Sequence, residues 1–362
     1  MKFIIAGFIL AAGVSIAATA PATAQAQPFP NYHLLRTIPV PSHGSGWDYI
    51  RFDPITKRLF LGHRQDGVEV FDTTNGFKMT KIADTSPSDG VEFMPDFGLG
   101  AAYLENGNLT IFKLSDLSVV KQINVGDELD AAVYDPFTHR LVPVNANSSA
   151  DGSSQTLRIL DVPSFKVAGK INVPDSDLEH GLADGQGNMY FAAQTIGSII
   201  RIDMKSLKIT ASYPTTGCKQ PTGLALDPAT QRLFIGCRGA IKSPKFMVMN
   251  AKMGAIVFTA PITPDNDGVA FDPKNHDIFL ATGVGAWMFV FHEYSADKYK
   301  LLEAISTESN ERTLALDVEG NHIYTGAAEG VINPEKRMKT KNSAFTPNMF
   351  EPNSFIIQEF GQ

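Results

Sequence analysis

The stretch Thr222-Gly-Leu-Ala-Leu-Asp227-Pro228, with Arg232-Leu-Phe-Ile-Gly236 close behind it, decides the fold. An apolar run with small residues interspersed enters a turn whose Asp can bond its own backbone and whose Pro presets φ. A second apolar run then returns, so the stretch reads as a buried hairpin. It recurs as Asp48-Tyr-Ile-Arg-Phe-Asp53-Pro54 with Arg58-Leu-Phe-Leu-Gly62, and as Asp130-Ala-Ala-Val-Tyr-Asp135-Pro136 with Arg140-Leu-Val-Pro-Val144. A fourth copy is Asp267-Gly-Val-Ala-Phe-Asp272-Pro273 with Asp277-Ile-Phe-Leu-Ala281. Degenerate copies run from Asp89 to Met94-Pro95, from Glu179 to Asp184-Gly185, and from Arg312 to Asp317-Val318.

Anchored on the Asp of each turn or its equivalent, the copies fall at 53, 94, 135, 184, 227, 272 and 317, in steps of 41 to 49 residues. Each step has room for four short strands. Seven such units predict an all-β, seven-bladed β-propeller of four-stranded antiparallel blades, spanning residues 30–362 as one domain. After the seventh hairpin only one further strand is legible, Ser354 to Phe360. The segment Tyr32 to Ile38 reads like an outer strand yet precedes the first blade. The expectation is that it completes the seventh blade and leaves no long open edge.

Composition agrees with a chain punctuated by turns. Among 362 residues there are 30 Gly and 22 Pro, which excludes long helices, and 24 Phe, enough apolar surface to exclude disorder. The formal charge of −7 gives no support to nucleic-acid binding. Lys2 precedes an apolar run from Phe3 to about Ala18, and Ala22-Thr23-Ala24 offers a small-x-small cleavage site. Residues 1–24 are thus expected to be a secretory signal peptide, not a membrane anchor, and the mature chain a periplasmic or secreted monomer. In that oxidising setting Cys218 and Cys237 are expected to form a disulfide, because pairing about the Pro228 turn brings them together.

Repeats ending Leu/Ala-Leu-Asp-Pro and followed by Arg-Leu-Phe-Ile-Gly, with later Asp-x-x-x-Gly turns, resemble the YVTN-type repeats of exported bacterial propellers, the YncE-like family. The resemblance covers residues from about 30 to the end. It implies the fold and leaves function open, since the motif is scaffold.

Function in a propeller gathers where inner strands meet the central channel. Five positions before the anchors stand Asp48, Asp89, Asp130, Glu179, Thr222, Asp267 and Arg312. The second strands add His63, Arg64, Asn145, Gln194 and Arg238 to the same rim, and His180 follows Glu179. Each carboxylate either caps the turn amides of its own strand or joins a negative channel mouth for a cation, a basic ligand or a hydroxyl-rich one. Trp47 is placed at the rim and Trp287 in the core. The leading expectation is a non-enzymatic scaffold that binds a small molecule or envelope protein at this rim, requiring no cofactor. The alternative is a lactonase-like hydrolase holding a divalent cation in the channel on Asp130, Asn145, Glu179 and Asp267. No nucleophile elbow, phosphate loop or dinucleotide fingerprint is present. The Lys336-Arg337-Met-Lys339-Thr-Lys341 run within 329–352 reads as a solvated excursion, with a docking role as its alternative.

Overall fold

A computed structural model describes residues 32–146, 153–239, 244–333 and 347–362. The expected signal peptide, the Lys336 to Lys341 run and the His180 side chain lie outside the described residues. From Tyr32 to Gln362 the chain folds as one unit built of seven four-stranded antiparallel sheets. Blade 1 comprises Ile50–Asp53, Arg58–Gly62, Val68–Asp72 and Lys78–Lys81. The next five blades repeat this meander, opening on Ser88–Met94, Leu129–Asp135, Leu178–Ala183, Pro221–Asp227 and Asn266–Asp272.

Blade 7 takes Leu314–Asp317, His322–Ala327 and Ile356–Gly361 from the C-terminal part of the chain, and His33–Pro39 as its outer strand. Leu34 pairs with Phe360 and Ile38 with Ile357, so the first strand closes the ring as expected.

The hairpin chemistry repeats atom by atom. The carboxylate of Asp227 accepts from the Ala229 N–H at 2.8 Å and the Thr230 hydroxyl at 2.6 Å, and Asp135 does the same for Phe137 and Thr138. Four residues beyond five of the seven anchors the backbone turns left-handed, at Lys57, His139, Gln231, His276 and Asn321, with φ between 52° and 58°. In blade 2 that place is held by Gly98. The short side-chain bonds hold even non-glycine residues in this region.

Inner and middle strands are buried, whereas outer strands alternate, as in Lys208–Pro214, because only one face finds a neighbour. Aromatic rings wedge between blades: Phe60 of blade 1 lies 5.0 Å from Phe93 of blade 2, and Phe234 of blade 5 lies 5.1 Å from Phe271 of blade 6. Two tryptophans depart from expectation. Trp287, expected in the core, is 38% exposed at the start of its strand. Trp47, expected at the rim, is buried between Phe350 and Phe355, where apolar contact holds it away from any ligand.

Cys218 and Cys237 form a disulfide with Cα atoms 5.6 Å apart. Pairing of Pro221 with Cys237 brings them together at the open end of the blade 5 hairpin.

Candidate functional site

The inner strands carry a register irregularity at one recurrent place. The ladder shifts between Ser88 and Gly90, Leu129 and Ala131, Leu178 and Gly181, Pro221 and Leu224, and Asn266 and Gly268. The residues passed over include Asp89, Asp130, Glu179, Thr222 and Asp267. A bulge frees its extra residue from the ladder and re-aims the side chain, which is how a strand otherwise committed to packing delivers a carboxylate to the channel mouth.

Most of these carboxylates neither cap their own strands nor stand as a bare acidic ring. Three arginines link them across blades. Arg64 donates to Asp48 at 2.9 Å and Glu105 at 3.1 Å, and its Nε lies 3.3 Å from Asp89. Arg312 reaches Asp48 at 3.3 Å and Asp267 at 2.9 Å. Arg238 pairs with Asp267 and lies 3.6 Å from Glu179. Glu179 also accepts from Gln194 at 2.7 Å, and the Gln194 amide donates in turn to the Thr222 hydroxyl at 2.9 Å. Followed residue by residue, the chain of contacts runs Glu105, Arg64, Asp48, Arg312, Asp267, Arg238, Glu179. It passes through blades 2, 1, 7, 6, 5 and 4.

Blade 3 is the break. Asp130 occupies the ring position there, partly open to solvent, and among the described residues it has no cation within ion-pair distance and no hydrogen-bond donor, Arg64 acting on it only at longer range. The sequence explains the gap: where blades 1 and 5 place Arg64 and Arg238 after the second strand, blade 3 has Asn145 and Ala146. Local capping does occur in this molecule, but on a flanking acid: Asp175 accepts the N–H groups of Asp177 and Ile196 at 2.7 and 2.8 Å.

The electrostatics follow from this asymmetry. Burial, then the charges of Glu179, Asp48 and Asp89, push the Asp130 carboxyl well above the usual carboxylate range. Burial likewise raises Glu179, with Arg238 opposing it. Burial pushes Asp89 up to about 8 against the pull of Arg64. For Arg64, burial works downward, but Asp89 and Asp48 more than offset it and keep the guanidinium charged. Five ring carboxyl groups therefore share three permanent cations, and Asp130, the one with no arginine in contact, is among those whose hold on the proton is raised.

Below the mouth a cavity of about 210 Å³ lies between the inner strands of blades 1, 6 and 7, bordered by Tyr49, Arg51, Asp267 and Thr313. Tyr49 had no place among the candidates. Its signal was available: the position after the ring residue is Gly90, Ala131, His180, Gly223, Gly268 and Thr313 in the other six blades, so a phenol stands out.

Other candidates are placed elsewhere. His63 is wholly buried within blade 1, its Nδ1 2.8 Å from Glu69 and its ring 4.6 Å from Phe355. The backbone N–H of Asn145 donates to Gln155 at 3.3 Å, outside the ring network. Of the four suggested metal ligands, Asp267 is engaged by two arginines. Among the described residues no group of three or more His, Cys, Asp or Glu is arranged to hold a metal ion.

No protein-family model matches the chain, and no curated protein matches it in sequence. Solved structures do. A chain of the mitotic checkpoint complex superposes with a TM-score of 0.67 at 15% identity, covering 90% of this chain and 96% of that one. The RRP9 WD40 repeats superpose at 0.67 and 10% identity, covering 91% and 97%. Hydrazine synthase of Kuenenia stuttgartiensis superposes at 0.67 and 13% identity, covering 79% and 94%. The chain is a β-propeller. Identities this low carry the fold alone.

Proposed function

We propose that the chain is an exported propeller scaffold of the YVTN type that binds a ligand or protein partner presenting a basic group at the channel mouth, without catalysis. The observation that carries this reading is the break at Asp130: the ion-pair chain runs through six blades and leaves one ring carboxyl, beside Glu179, with no cation in contact. Desolvation and the neighbouring acids strengthen that carboxyl's hold on its proton, and an incoming ammonium or guanidinium would give it a partner. Metal-dependent hydrolysis has less support, since Asp267 is already bound by two arginines and Glu179 is engaged by Gln194 and Arg238.

The test is a thermal melt of the mature chain with spermidine, with tetralysine and with tetraglutamate. The two polycations should raise the midpoint and tetraglutamate should not. No shift with either polycation would set the reading aside. Export is supported by the apolar leader in the sequence and by the disulfide. Fractionation should place the chain in the envelope, shortened after Ala24.

A further inference from the structure

A further cluster of polar side chains borders a cavity on blade 3. Its third strand, Gln155–Asp161, pairs with the outer strand, Lys166–Val173, in a register that sets Arg158 directly opposite Lys170. Like charges in direct cross-strand register repel. Among the described residues neither cation has a carboxylate within ion-pair distance, and neither has a partner left unstated. The corresponding pair in blade 2 is Thr110 and Gln122, which hydrogen-bond at 3.1 Å. The blade therefore tolerates a neutral pair at this register, and blade 3 places two positive charges there.

A cavity of about 330 Å³ opens beside this pair, bordered by Asp127, Asn145, Gln155, Thr156, Arg158 and Lys170. That volume is at the small end of ligand sites. The Gln155 side chain on its wall is 2% exposed; its Oε1 accepts from Asn145, and its Nε2 has no acceptor. A buried amide N–H without a partner costs free energy unless something supplies an acceptor. The Arg158 guanidinium lies over Gly126, where an added Cβ would sit 2.0 Å from Nη1, so only glycine lets it lie there. Two uncompensated cations and an unsatisfied amide donor border one cavity. All three call for oxygen acceptors carrying negative charge.

We propose that this cavity binds a small carboxylate, with Arg158 and Lys170 taking the carboxylate oxygens. Asp127, also on the wall, suits a ligand that carries a hydroxyl or amino donor beside its carboxylate. The fork of Arg158 matches a carboxylate in two parallel hydrogen bonds, and Lys170 adds a point charge. This site takes an anion and the channel mouth a cation, so either proposal can fail alone.

The experiment is isothermal titration of the mature full chain with L-malate, succinate and inorganic phosphate in low-chloride buffer. Malate should bind saturably and more tightly than succinate. Arg158→Gln/Lys170→Gln should weaken malate by at least about tenfold, while Lys170→Arg retains it. Ligand-free, the double variant should melt at or above the parent, because the repulsion is gone. Absence of saturable malate binding, equal binding by the double variant, binding of phosphate alone, or a lower ligand-free melting midpoint in that variant would each overturn the proposal.

Discussion

The Tyr49 hydroxyl of blade 1 donates to the Glu179 carboxylate of blade 4 at 3.4 Å, a bond between blades that are not neighbours in the ring. Every other link in the mouth network joins side chains around the rim, whereas this one crosses it. Tyr49 also stands against Tyr103 of blade 2, with ring centroids 6.2 Å apart, so the phenol is held in place before it reaches the acid. Tyr49→Phe keeps the ring and removes the donor. It should cost about 1.5 kcal/mol in urea unfolding, as expected for a bond to an acid.

Arg312 connects Asp48 to Asp267, the first blade to the sixth, with its guanidinium deep in the rim. Arg312→Ala would leave two buried carboxylates without that charge, at a cost of about 3 kcal/mol. Arg312→Lys should recover only part of this, because one ammonium cannot fork to both acids. Denaturant midpoints for the three proteins give the comparison.

Stability should fall as the solution becomes alkaline. Asp130, Asp89 and the buried Glu311 are all raised in the folded state, chiefly by burial. Their contribution is complete below the unfolded value of about 4 and is lost as pH rises through the folded values, about 8 for Asp89. On the acid side the opposite holds for Asp227. Burial works to raise it, but the Thr230 hydroxyl and backbone donors bring it below normal, so its contribution is lost only as pH falls. The stability maximum should therefore lie on the acid side of neutrality. Glu311→Gln stays neutral throughout, and should flatten the alkaline limb and gain about 1 kcal/mol near pH 8.

The disulfide should be structural. Replacing Cys218 and Cys237 together by Ser frees a loop of 19 residues and should lower stability by about 3 kcal/mol. A strong reductant should reproduce the loss in the parent and have no effect on the double variant.

How far the sequence could be read depends on what each residue answers to. The turn Asp-Pro and the apolar runs on either side answer to their immediate neighbours, so Asp227 and Leu224 announce the hairpin, and seven hairpins announce the ring. The carboxylates at the mouth were legible as positions, since superposing the repeats aligns Asp48 with Asp130 and Asp267. Their state was not legible. Whether Asp267 is a free acid or an arginine's partner depends on Arg238 and Arg312, each from a neighbouring blade, and on bulges that no local pattern signals. His63 shows the limit most plainly: it sits beside Arg64 in sequence, yet one side chain enters the mouth and the other is enclosed with Glu69 inside the blade.

On the proposed function, the Asp130 carboxyl beside Glu179 ionises to receive a basic group at the channel mouth. The most direct test is calorimetric titration of spermidine into the mature chain and into Asp130→Asn/Glu179→Gln, at about pH 6 and about pH 8. Because Asp130 must ionise to pair, the parent should bind more tightly at the higher pH, and the double variant should lose at least about tenfold in affinity there. Equal affinity in parent and variant, or binding that weakens as pH rises, would contradict the account.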